Sequence, residues 1–168
     1  MIKPVIVVVM GVSGSGKTTI GTLLAQRLGC VYAEADDFHP PANVAKMRAG
    51  QPLTDADRLP WLQAIATWIE GCEEGGDDAV VTCSALKRSY RDVLRDGHKH
   101  VRIVFLEADP DLLAHRVLHR VGHFFPADLL ESQLATLEPP GPDELVIRVD
   151  NSTQPSAVVD EILSRLGA

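Results

Sequence analysis

The chain has 168 residues, enough for about one domain with its own hydrophobic core, and that leaves little room for a second catalytic unit. Lys and Arg number 16 against 23 Asp and Glu, a formal charge of −7, which argues against sequence-independent nucleic-acid binding because that needs a positive surface. At 45% hydrophobic and 23% charged the composition is that of a soluble globular protein, and no run approaches the ~20 apolar residues of a membrane span. The N-terminus carries one charge and a short apolar run without a small-residue cleavage site, which does not match a signal peptide. Cys30, Cys72 and Cys83 are odd in number and lack C-x-x-C spacing, so neither a disulfide framework nor a zinc site is expected, and a reducing cytoplasm is.

Residues 5–10 form a β-branched run suited to a strand covered on both faces. Gly11-Val12-Ser13-Gly14-Ser15-Gly16-Lys17-Thr18 follows and satisfies G-x-x-x-x-G-K-[ST] at every fixed position. Its glycines let successive backbone N–H groups turn inward toward phosphate oxygens. The helix predicted over 18–28 adds the positive end of its dipole at Lys17, Thr18 and Thr19. This pattern predicts a nucleoside triphosphate, with Lys17 on the β/γ-phosphates and the Thr18 hydroxyl on Mg²⁺.

A short strand over 30–35 leads into Glu34-Ala35-Asp36-Asp37-Phe38-His39-Pro40 at its carboxyl end, the edge where open α/β sheets bind ligands. Glu34 there is a candidate for holding a metal-bound water. Asp36 is a candidate to orient an attacking hydroxyl and accept its proton. A short helix is expected over 41–49. Thr54-Asp-Ala-Asp57 reads as a capping box, and past Pro60 the residues Trp61, Ile65, Trp68, Ile69 and Cys72 mark an amphipathic helix, both Trp being expected in the core.

After an acidic turn over 73–78 come a strand over 79–83, a basic helix over 85–95 and a strand over 101–106. Asp109 is the expected N-cap, with Pro110 at the first helical position, of a helix running to about 120. The break over 122–126 precedes a helix over 127–137, a Pro-rich turn, a strand over 145–149 and a closing helix over 156–166. The alternation predicts an α/β P-loop NTPase three-layer sandwich, a five-stranded parallel sheet with helices on both faces, in a single domain over 1–168. No N-K-x-D guanine motif is present, and the third strand ends Thr82-Cys83-Ser84 without a carboxylate, so the acid after the second strand is the expected organiser of the metal.

Several stretches together resemble one family, the bacterial-type gluconate kinases, small P-loop kinases related in fold to shikimate and adenylate kinases. The resembling residues are 10–18, Asp36 with His39-Pro40, Asn43, Lys46-Met47, 50–53, Asp55-Ala-Asp57-Arg58 and Pro60-Trp61-Leu62. They continue with Cys83-Ser-Ala-Leu-Lys87-Arg88-Ser-Tyr90-Arg91-Asp92, Gly122-His123-Phe124-Phe125, Gln133 and Thr136-Leu137-Glu138-Pro139. The match spans almost the whole chain in order, and C-S-A-L-K-x-x-Y-R-D and G-H-F-F are far more specific than the phosphate loop. Glu34 is a departure, since the family carries Asp there.

The resemblance implies transfer of phosphate from ATP to D-gluconate, giving ADP and 6-phospho-D-gluconate, by a cytoplasmic homodimer. It implies an acceptor-binding segment over about 36–60. It also implies a lid over about 116–130 that carries Arg116 and Arg120 onto the phosphates; their four-residue spacing puts both on one helical face. Lys17, Asp36, Arg116 and Arg120 are then the catalytic set. A linear polyol with one carboxylate needs a cation and several hydrogen-bonding partners. Arg58, Lys87 and Arg91 are the candidate cations; His39, Ser84 and His123 are the candidate hydroxyl partners. Adenine is expected by the fold analogy against residues 150–154. Another small acceptor such as shikimate or a nucleoside monophosphate, and a non-catalytic nucleotide-binding module, are the alternatives. Residues 86–102 hold six basic side chains against two acidic ones and carry net +4, leaving −11 elsewhere, so an acidic shell with cations focused at one cleft is expected.

Overall fold

Alternate residues of the first β-branched run face opposite sides of a sheet, and both sides are dry. The computed structural model describes residues 4–12, 14–98, 100–109, 111–113 and 127–167. Its strands are β1 (Ile6–Met10), β2 (Val31–Glu34), β3 (Ala79–Thr82), β4 (Val101–Glu107) and β5 (Ile147–Asp150). They form one sheet in the order β2-β3-β1-β4-β5, every neighbouring pair parallel. The helices are α1 (Lys17–Leu28), α2 (Pro41–Arg48), α3 (Asp55–Glu74), α4 (Arg88–Arg95), α5 (Ala127–Thr136) and α6 (Pro155–Leu166). Short 3-10 turns lie at Ala35–Phe38 and Pro142–Glu144.

Ile6, Val8 and Met10 pack on one face against Trp61, Leu62, Ile65 and Ile69 of α3 and Tyr90 and Leu94 of α4. Val7 and Val9, with Val5 just before the strand, pack on the other face against Ile20 and Leu24 of α1 and Val158, Val159 and Ile162 of α6. Burying each such side chain stabilises the fold by about 1.5–3 kcal/mol, which fixes strand register and the level at which the strands end. Glu34 and Val9 are both paired with Thr82, so β2, β3 and β1 finish side by side. The loops that follow them therefore share one edge.

Three boundaries depart from the sequence expectation. The capping box is complete, with Thr54 Oγ1 accepting from Asp57 N and Asp57 accepting from Thr54 N, but it opens one helix that runs through Pro60 to Glu74. Helix α4 starts at Arg88 rather than 85, because Ala85 is left-handed (φ 45°) and its carbonyl is taken by a side chain further on. Strand β5 starts at Ile147, since Leu145 is also left-handed (φ 56°) and 83% exposed after the 3-10 turn. Asp109 caps the helical turn over 111–113, its carboxylate accepting from Asp111 N at 2.8 Å and its carbonyl from Leu113 N at 2.9 Å, and the rest of the helix expected to about 120 lies outside the described residues. No helix among the described residues is long and apolar enough to cross a membrane.

Candidate active site

The loop between β1 and α1 is shaped by its glycines. Gly14 (φ 82°) and Gly16 (φ 95°) occupy the left-handed region that a side chain disfavours. A Cβ on Gly11 would stand 2.5 Å from Ser15 Oγ, so the turn closes only without one. Lys17 Nζ donates to the carbonyls of Gly11 and Val12 at 2.8 and 3.0 Å, holding the ammonium over the loop. Ser15 is 1% exposed, and its carbonyl accepts from Asn151 Nδ2 at 2.6 Å, which ties the loop to the segment after β5. Among the described residues the buried Ser15 hydroxyl has no hydrogen-bond partner, as expected of a donor left for an anion in the cradle. Val12 is buried beneath, and Thr18 and Thr19 are exposed at the start of α1. Ser13 lies outside the described residues.

At the end of β2, Glu34 Oε1 accepts from the Thr18 hydroxyl at 2.7 Å and from the Tyr32 hydroxyl at 3.0 Å. Burial pushes the Tyr32 phenol up to about 12, so it remains a donor throughout the physiological range. Thr18 and Glu34 thus put two hard oxygen donors side by side beside the phosphate loop. That donor set fits a magnesium ion that keeps most of its waters. No cluster of three or more His, Cys, Asp or Glu side chains suited to a metal occurs among the described residues. The Tyr32 hydrogen bond steadies the Glu34 carboxylate in this position.

Beyond Glu34 the chain turns through Ala35–Phe38, and Trp61 of α3 holds that turn in place. Its indole N–H donates to the Ala35 carbonyl at 2.6 Å, and its ring stacks on His39 with centroids 4.4 Å apart and planes 11° from parallel. Phe38 packs edge-on against Trp68 at 6.1 Å. Asp36 is left exposed at the rim of a cleft of roughly 660 Å³ open to solvent. The cleft gathers Asp36, His39, Arg58 and Ser84 with Gln51, Ser132, Gln133 and Thr136, above a floor that includes Met47, Trp61 and Leu86. Cys83, fully buried and pushed up to about 12 by that burial, lies within electrostatic reach of both Lys17 and Asp36. The phosphate loop and the acid therefore flank the same buried residue.

His39 is held neutral at physiological pH: burial, with the Arg58 charge added, pushes its imidazole down to about 4. Arg58 sits over the Tyr90 ring at 5.6 Å and donates to the Tyr90 hydroxyl at 3.1 Å, which in turn donates to Asp55. Hydrogen bonds from Tyr90 and Lys87 hold the Asp55 carboxyl below the usual carboxylate range.

Two of the expected substrate cations have other partners. Lys87 lies outside the lining of the cleft, and its ammonium spans both oxygens of Asp55 at 3.1 and 3.2 Å. Arg91 is a correction: it is 0% exposed and cannot meet a substrate. Its guanidinium donates to both Glu144 oxygens at 2.7 and 3.0 Å and to the carbonyls of Ala85, Leu86 and Glu138. What it does instead is fix the loop that carries Ser84 and Leu86 to the cleft. Arg95 joins the same carboxylate at 3.1 Å and Arg88 pairs with Asp143 at 2.5 Å, so Arg88, Arg91 and Arg95 are paired locally rather than turned to the cleft. Arg116, Arg120 and His123, with most of the expected lid, lie outside the described residues.

Gln51, Ser132, Gln133 and Thr136 also line the cleft and are not among the side chains that the sequence singles out. Gln51, Gln133 and Thr136 stand in stretches that resemble the gluconate kinases, but no local chemistry marks a lone amide or hydroxyl as ligand-facing.

A phosphate cradle set beside a polar acceptor cleft on one edge of a parallel sheet defines a small P-loop kinase, and a family model described as an AAA domain matches residues 6–140. The gluconokinase of Gluconobacter oxydans (strain 621H) is 53% identical over 167 residues, covering 99% of this chain and 94% of that protein. Crystal structures of a sugar kinase from Janibacter sp. HTCC2649 (TM-score 0.91, 48% identity, 98% and 95% covered) and of a gluconokinase from Sinorhizobium meliloti 1021 (0.86, 45%, 98% and 92%) share the fold over nearly their whole length. The chain belongs to the gluconokinase family.

Proposed function

We propose that the protein transfers the γ-phosphoryl group of ATP to the terminal hydroxyl of D-gluconate, as a single kinase domain with its acceptor segment over 36–60 and its lid over 116–130. The observation that carries this is the cleft in which Asp36, His39, Arg58 and Ser84 meet beside the phosphate loop, in a chain of the gluconokinase family. Arg58 pairs with the gluconate carboxylate, and His39, Ser84 and His123 meet its hydroxyls. Asp36 orients the terminal hydroxyl and takes its proton as the oxygen–phosphorus bond forms in line with the breaking bond to ADP. The loop amides and Lys17 hold the phosphates, and Arg116 and Arg120 neutralise the charge that develops on the transferred group. Thr18 and Glu34 would hold magnesium, which supplies charge neutralisation at the phosphate oxygens.

A homodimer in the cytoplasm completes the reading. It is supported by the resemblance to the gluconate kinases and by three cysteines that form no disulfide among the described residues. The test of the reaction is product analysis: ATP and gluconate should yield ADP and a C6 phosphomonoester in equal amounts. ADP without the ester would contradict it.

A further inference from the structure

His39 is the cleft's imidazole, and its neighbours decide what it offers. Asn43 is 4% exposed, one turn along, at the start of α2. Its Nδ2 donates to the Asp57 carbonyl at 2.8 Å and lies 3.2 Å from His39 Nδ1. A carbonyl only accepts, so the Asp57 contact settles which end of the amide faces both partners. With one hydrogen on Asp57 and the other toward the ring, His39 Nδ1 has to accept. The proton of the neutral imidazole then resides on Nε2.

We propose that Asn43 is a positioning residue that holds His39 in the Nε2–H tautomer, so that the ring meets the acceptor as a neutral hydrogen-bond donor. The claim rests on the acceptor reading above only for the identity of the ligand. The Trp61 stack fixes the ring plane, and Asn43 fixes which nitrogen carries the hydrogen. Because burial keeps the imidazole deprotonated, a second proton does not compete at neutral pH. The donor selects an acceptor that has an oxygen at the facing carbon and disfavours one with hydrogen there, since the N–H would be left without a partner. Asn43 also touches the carbonyl of the residue before Arg58, so it sets the hydroxyl-facing and carboxylate-facing groups in one frame.

The test is nitrogen NMR of the full chain labelled at histidine, read beside kinetics of the variants. The wild type should show His39 protonated at Nε2, and N43A should show mixed tautomers. N43A should raise the KM for gluconate about three- to tenfold, the loss of one hydrogen bond, with the KM for ATP changed less than about twofold. H39Q places an amide at the ε position and should keep a lower gluconate KM than H39N, which places it at the δ position. An Nδ1–H tautomer in the wild type, an unchanged tautomer and KM in N43A, or H39N outperforming H39Q would each overturn the proposal. Should N43A fail to fold, the wild-type spectrum and the H39Q against H39N comparison decide. A wild type that leaves gluconate unphosphorylated would defeat the acceptor reading, while the spectrum still decides the tautomer.

Discussion

Replacing Asp36 by Asn keeps the side chain's size and removes its ability to take a proton. Turnover should then fall by about 10²- to 10⁴-fold with ATP affinity nearly unchanged, measured by steady-state kinetics beside a binding titration. Arg58→Ala should raise the gluconate KM about 10- to 100-fold, the loss of a charge-assisted contact, and leave the KM for ATP alone. If the ATP constant moves instead, the carboxylate site is elsewhere. His39 carries a pH prediction. Its folded pKa of about 4 lies below the ordinary 6.5, so between those values the unfolded chain binds a proton that the folded chain refuses. Stability from this group is complete above pH 6.5 and is lost as the pH falls toward 4; H39Q should flatten that part of a denaturation-against-pH curve. That Asp36, His39 and Arg58 line one cleft was legible at this scale from the family pattern that marks all three. Arg91 carried the same signals and was misread. Its partner Glu144 is 53 residues away, and nothing local distinguishes a buried ion pair from a substrate cation.

The elements that frame the cleft are tied by contacts of the second kind. Glu144 holds Arg91, Arg95 and the Gly141 N–H together, joining α4 to the turn before β5, and its side chain and that of Arg91 are 1% and 0% exposed. Removing one partner leaves a buried charge alone, so Glu144→Ala should cost about 3–5 kcal/mol in chemical denaturation. It should also loosen the Ser84–Leu86 loop that Arg91 pins. Hydrogen bonds from Arg91 hold the Glu144 carboxyl down to about 2, so its contribution is present above its ordinary 4.5 and fades as the pH falls through 2. Helix caps were readable because they are local: Thr54 with Asp57 was recognisable as spelling alone. The start of α4 was not, because Ala85 and Leu86 are kept out of the helix by a guanidinium further along the chain.

For the molecule as a whole, the parallel sheet followed from the alternation of β-branched runs and amphipathic stretches, which is a strong and redundant signal. The charge map did not follow. The basic stretch around α4 spends Lys87, Arg88, Arg91 and Arg95 on Asp55, Asp143 and Glu144, leaving Arg58 as the Arg or Lys that lines the cleft among the described residues. A composition says how many cations there are, and only the fold says which are already paired. One cation beside other polar side chains is the arrangement that a polyol with a single carboxylate requires, and the proposed reaction centres on it. The most direct test is ATP-dependent ADP release with gluconate, shikimate and nucleoside monophosphates offered in parallel. Rapid, stoichiometric phosphorylation of gluconate and little of the others is the expected result; gluconate left untouched beside a well-used rival would contradict the proposed reaction.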